Sequence, residues 1–223
     1  GSGSFLPEPA SARELAGLMT RTGETRGVHT AALLSGMDAP LGRAVGNGLE
    51  TAEALRCLAG EGPDDLAHLS LALVGEMLFL GGVAADPAVG AQEARKALGQ
   101  GRVLRRMELL VERQGGDPRV VADPDRIPRA PHQGAVLARR GGFVLGVAPV
   151  PLGYGVVELG GGRRRMEDAV DPRVGFVLEV RPGDEVRKGD LLGVVHAADP
   201  AGLARGAEIL DGAVELGPDP PAP

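Results

Sequence analysis

Three stretches of this 223-residue chain hold turns and side chains able to do chemistry. In residues 40–53 (PLGRAVGNGLETAE) a Pro-Leu-Gly turn exposes backbone carbonyls and the helix behind it supplies Glu53. Together these are hard oxygens of the kind that hold a monovalent or divalent cation, although any exposed loop followed by a solvated helical glutamate offers the same groups. Residues 1–6 (GSGSFL) form a glycine-rich entry to a helix, which either turns N–H groups toward an anion or is structural only. In residues 160–176 (GGGRRRMEDAVDPRVGF) three glycines precede Arg163, Arg164 and Arg165. That pattern makes either an anion-binding nest or a tight turn with a solvated basic face, on which Glu167, Asp168 and Asp171 pair with the arginines.

Other reactive residue types do not converge. His29, His68, His132 and His196 make no metal-ligand spacing with Cys57 or with one another, and no HExxH, GxSxG or GxxxxGK[ST] pattern occurs. Cys57 sits on a helix, and a buried thiol is expected rather than a nucleophile. A net charge of −6 gives no general pull toward nucleic acid or anionic lipid. One cysteine excludes an intrachain disulfide, and no uncharged run is long enough to span a membrane, so the expected location is the cytoplasm.

The elements that must position these groups follow from periodicity. Residues 11–22 read as a helix with Ser11 as N-cap and Glu14 as its capping-box partner, and residues 28–34 as a short buried strand. Asn47 starts a helix carrying Leu49, Ala52, Leu55 and Leu58 on one face. Pro63 opens another that runs to Gly81, and residues 91–98 and 103–113 are two more. Residues 1–121 are thus the helix-rich part of a domain. Residues 122–134, with three prolines, read as a linker, and residues 135–223 as a β-rich domain with strands at 135–137, 142–147, 175–180 and 191–195. The tail from Gly217 is Pro-rich and expected to be disordered.

These motifs, in this order, resemble the thymidine and pyrimidine-nucleoside phosphorylase family. Residues 32–60 are similar to its TDMxQPLGxxxGNxxEVxEA signature, GSGSFL to GSGAFM, and GGGRRRMEDAVDPRVGF to LGAGRxxKEDxIDxxVG. PGDEVRKGDLL has the turns of a lipoyl-type carrier barrel, but Lys188 lies in the wrong turn for modification, which leaves a structural hammerhead-like barrel. The fold implied is α/β: the C-terminal part of a phosphorylase α/β domain, then a small β-rich, barrel-like C-terminal domain. The implied activity is reversible phosphorolysis of a pyrimidine nucleoside to the free base and pentose 1-phosphate, a pentosyl-transferring glycosyltransferase reaction with inorganic phosphate as co-substrate. No cofactor is required for that chemistry. By the same resemblance a structural potassium ion is held by the carbonyls of Leu41 and Ala44 and by Glu53, and Phe5 and Leu6 wall the base. The family's KHSTGGVGDK-like phosphate loop and its base-holding His, Arg, Ser and Lys residues have no counterpart here. The chain alone is therefore expected to be inactive, its partners being the missing N-terminal half and, as in the family, a second copy, with no nucleic acid and no membrane. The alternative is a non-catalytic remnant acting as an interaction module.

Overall fold

The computed structural model describes residues 1–221, a mixture of helices and two small antiparallel sheets that fits the α/β class. The chain divides into two compact units, one of Gly3–Gly36 with Ala54–Arg126, the other of Met37–Glu53 with the chain from Ile127 onward.

The first unit is helical. Helix α1 (Pro9–Thr25) begins at Pro9 with Glu8 as N-cap, so the capping box expected at Ser11 does not form. Proline at the first helical position has its φ already set and no N–H to lose, and it moves the start upstream. No residue of α1 is buried. The expected strand at residues 28–34 is also absent: these residues take no regular structure, and Val28, Leu33 and Leu34 are exposed. Apolar composition alone does not make a strand, because a strand needs a neighbour for its N–H and C=O groups. After α2 (Asn47–Ala59), helices α3 (Asp64–Leu80) and α4 (Pro87–Gly99) pack as a hairpin. They touch through Gly75 and Gly90, where a Cβ on either residue would run into the other helix's backbone. Helix α4 starts earlier than its periodicity indicates, because Asp86 caps it by accepting the Val89 N–H (2.8 Å) and Pro87 opens it. Helix α5 (Arg102–Arg113) and the short α6 (Arg119–Ala122) complete the unit. Its described residues include only three buried apolar side chains, Leu55, Leu71 and Val121.

The second unit holds the larger core. One sheet has strand order β1 (Ala44–Val45), β4 (Gly175–Leu178), β6 (Leu191–Ala197), β2 (His132–Leu137). The other has the order β5 (Glu185–Val186), β3 (Gly142–Val147), β7 (Val214–Gly217). Helices α7 (Pro149–Glu158) and α8 (Pro200–Ala213), neither signalled by periodicity, cover them around a core centred on Phe176, Leu152, Val195 and Leu210. Strand β2 begins at His132, inside the stretch expected to be linker, and a 3-10 turn occupies Pro124–Arg126. Gly217, expected to begin a disordered tail, pairs with Phe143; Ala222 and Pro223 lie outside the described residues. The two expected turns around β5 do form. Arg181 to Asp184 and Arg187 to Asp190 each close an i to i+3 hydrogen bond (3.1 and 3.0 Å). Gly183 and Gly189 take φ of +98° and +96° at the third position, which makes these type II turns.

Candidate functional site

The turn and helix of residues 40–53 lie in the second unit, and the backbone ladder shows how they are held. Arg43 and the start of β1 pair with the end of β4: the Leu178 N–H donates to the Arg43 carbonyl at 2.8 Å, and Ala44 sits opposite Val177. The Ala44 N–H meets Glu53: Oε1 of that carboxylate accepts it at 3.2 Å and the Arg43 N–H at 2.9 Å. The other oxygen, Oε2, lies against Gly42, where any Cβ would collide with it.

Ala44 and Glu53 therefore meet, with Leu41 next to Gly42 on the same turn, and the carboxylate serves as the tie that closes the turn. The donor set is nonetheless one a potassium ion would accept. It comprises the carbonyls of Leu41 and Ala44 and the Glu53 carboxylate, hard oxygens on one turn and the helix behind it. Among the described residues no three His, Cys, Asp or Glu side chains gather into a metal-binding group, so any cation here depends on backbone oxygens.

Sequence reasoning missed Arg43. Its guanidinium donates to the carbonyl of Glu179 (3.2 Å) and faces the Glu179 carboxylate (3.5 Å), pinning the turn to the chain beyond β4. Nothing in the spacing marks one arginine in a turn for that role. The first and third stretches meet. Asn47, expected to cap α2, instead donates its side-chain amide to the Gly161 carbonyl (3.0 Å), while the Gly48 N–H donates to Pro172 (2.7 Å). The N-terminal tie is made by Glu50, which accepts the Gly46 N–H at 2.9 Å. At the third stretch the anion nest has an internal occupant. Asp168 accepts the N–H groups of Arg165 (2.9 Å) and Arg164 (3.1 Å), and those bonds, the Arg165 one foremost, hold its carboxyl below the usual carboxylate range. Asp171 pairs with Arg173 rather than with the arginine run.

Phe5 and Leu6 belong to the first unit. Phe5 is 92% exposed and Leu6 half-buried, and the Leu6 N–H is taken by the Ser4 hydroxyl at 3.2 Å. Asp38 accepts the Ser2 N–H at 2.8 Å, a bond that lowers its carboxyl pKa. A groove along α5, lined by Leu58, Val103, Met107 and Leu110 with Arg106 and Arg113, brings no acid or nucleophile together.

Among the described residues of the second unit the buried polar group is His196, on β6 opposite Gln133 and Gly175, 7% exposed and with Nδ1 unpartnered. Burial, and secondarily the nearby Arg129 charge, pushes its pKa below the ordinary 6.5. A base depressed on folding leaves the unfolded chain binding more protons just below 6.5, so this contribution is intact above 6.5 and is lost as pH falls. We expect urea unfolding of the wild type to show a stability decline from about pH 7.5 to about pH 5.5, roughly one unit either side of the ordinary histidine value, that His196→Gln makes shallower. Equal slopes in the two proteins would refute this role.

Residues 143–217 match the family model described as "Pyrimidine nucleoside phosphorylase C-terminal domain". The chain is similar to the pyrimidine-nucleoside phosphorylases of Staphylococcus aureus strains USA300, NCTC 8325 / PS 47 and bovine RF122 / ET3-1, at 38% identity over 201 residues in each case. The matched region takes in 88% of this chain and 46% of each relative, so the chain spans about half the length of the curated relatives it matches. With the C-terminal domain identified and the similarity running well beyond it into the helical unit, the chain belongs to the pyrimidine-nucleoside phosphorylase family and corresponds to its C-terminal half.

Proposed function

We propose that this chain is the C-terminal half of an enzyme that splits a pyrimidine nucleoside with inorganic phosphate, reversibly, into the free base and pentose 1-phosphate. The observation that carries the reading is the extent of the similarity, 88% of the chain at 38% identity, rather than the C-terminal domain alone. In such a reaction the anomeric carbon becomes cation-like while the departing base gains negative charge, so donors and cations must face the base and the phosphate. This chain supplies walls and scaffold for that: Phe5 and Leu6 as the apolar surface beside the base, and the Leu41–Ala44 turn, closed by Glu53, as part of a potassium site whose remaining ligands lie on the other half. The chain by itself has no phosphorolytic activity, in the cytoplasm or in the tube. Thymidine is the nucleoside we would assay first.

The test is reconstitution. The purified chain should release no thymine from thymidine and phosphate, and should do so when mixed with the unmatched portion of a Staphylococcus aureus pyrimidine-nucleoside phosphorylase. A complex that forms and stays inert toward thymidine and uridine sinks the proposal. In the active mixture, replacing Na+ by K+ should raise the melting temperature, and Glu53→Gln should abolish that difference; a K+ effect that survives the substitution removes Glu53 from the site.

A further inference from the structure

We propose that the Arg43 side chain positions Glu53 for the cation: it takes the Leu178 carbonyl that the Arg43 N–H would otherwise occupy, and so frees that N–H to hold the Glu53 carboxylate. The inference rests on the potassium reading above and adds a residue that is not itself a ligand.

The backbone pairing shows the exchange. With Ala44 opposite Val177 and Val45 opposite Phe176, Arg43 stands opposite Leu178, one place beyond the strand. Residues directly opposite each other in an antiparallel ladder alternate between pairs that exchange both N–H···O=C bonds and pairs that exchange neither. Arg43 and Leu178 make the first of the two bonds, the Leu178 N–H donating to the Arg43 carbonyl at 2.8 Å. The return bond is replaced. The Arg43 N–H donates instead to Oε1 of Glu53 at 2.9 Å, and the Leu178 carbonyl accepts Nη1 of the same arginine at 3.4 Å. That Nη1 also donates to the Glu179 carbonyl at 3.2 Å.

Leu178 is only 3% exposed, so leaving its carbonyl without a donor is costly. In the absence of the guanidinium the ladder's own donor is the Arg43 N–H. Its return to Leu178 would strip Glu53 of the shorter of its two N–H bonds and leave the Ala44 bond at 3.2 Å. The contact with the Glu179 carboxylate is a lesser matter. It spans 3.5 Å between side chains 41% and 43% exposed, the setting in which an ion pair is worth little. A group that orients a ligand without touching the ion typically carries about ten- to a hundredfold of metal affinity.

Two measurements test this. In the mixture with the unmatched portion of the Staphylococcus aureus enzyme, the K+ concentration giving half of the rise in melting temperature should increase about tenfold in Arg43→Met, which keeps the stem and loses every side-chain donor. Arg43→Lys keeps a donor for the same carbonyl and should fall between Arg43→Met and the wild type. Glu179→Gln leaves both carbonyls in place and should match the wild type. On the 223-residue chain alone, Arg43→Met should speed hydrogen exchange at Ala44 by about tenfold while Val45, Phe176 and Leu178 keep their wild-type rates. A K+ midpoint unmoved by Arg43→Met overturns the inference and leaves the potassium reading standing; equal melting temperatures in K+ and Na+ for the wild-type mixture overturn both. Faster exchange at Val45 and Leu178 together with Ala44 would make Arg43 a brace of the ladder and not a positioning residue. A midpoint shifted as far by Glu179→Gln as by Arg43→Met would assign the effect to the ion pair and overturn the inference too.

Discussion

Phe176→Ala is expected to destabilise the second unit by about 3–5 kcal/mol, the range for deleting a fully buried phenylalanine. The ring is 0% exposed on β4, among Val174, Val195, Leu152 and Leu210, the largest fully buried side chains of that core. It also lies against α7 at a residue with no side chain: a Cβ at Gly155 would come within 3.0 Å of two ring carbons. The helix therefore rests directly on the ring, with the Ile209 side chain against the same glycine. Since a domain's whole stability is about 5–15 kcal/mol, the variant should lose a large part of its cooperative urea transition. A loss below about 1 kcal/mol would mean that the site collapses freely and that the ring is not the keystone of α7 packing.

The same ring shows why part of this fold escapes a reading of the sequence. Strand β3 at 142–147 is legible because Gly-Phe-Val-Leu-Gly-Val is β-prone and bounded by turn residues. The type II turns around β5 are legible because Pro-Gly and Lys-Gly at their centres leave few alternatives. Helix α7 is different. PVPLGYGVVE carries prolines, glycines and β-branched residues, all poor helix formers, and becomes helical because Leu152 and Gly155 are buried against the sheet. Tertiary packing outweighs propensity there. Helix α8 does carry a local signal: Asp199-Pro200 repeats the Asp86-Pro87 start of α4, with Asp199 accepting the Gly202 N–H at 2.6 Å.

At the candidate site, a turn followed at once by a helix leaves the chain few ways to separate Ala44 from Glu53, and that much is legible. What the carboxylate does is not. Its bonds to two N–H groups sit where β1 pairs with β4, a contact between residues more than 130 positions apart, as in Leu178 with Arg43. The unformed strand at residues 28–34 is the opposite case: its composition is apolar, and the pairing partner that such a composition requires is not among the described residues.

Gly175→Val should open that ladder, at a cost of about 2–5 kcal/mol, combining backbone strain with overpacking. Gly175 has φ of +148°, and a Cβ there would strike the Val45 carbonyl oxygen and lie 3.0 Å from the Cα of Gly46. The approach is mutual. A Cβ on Gly46, at φ +140°, would strike the Val174 carbonyl and sit 3.1 Å from the Cα of Gly175. Backbone meets backbone, so no rotamer change can relieve the clash, and β1 must separate from β4. The Arg43 and Ala44 amides that Glu53 binds would then lose the strand that orients them, and their hydrogen exchange should accelerate together with that of Leu178. Gly183 provides the comparison: it too has positive φ, +98°, but a Cβ there meets nothing within 4 Å. Gly183→Ala should therefore cost only the conformational strain, about 1–2 kcal/mol, and leave the 43–44 amides protected. If Gly175→Ala proves no more destabilising than Gly183→Ala, the close approach of β1 and β4 is not what holds the turn, and the closure of the turn must then be assigned to Glu53 and the Arg43–Glu179 pair alone.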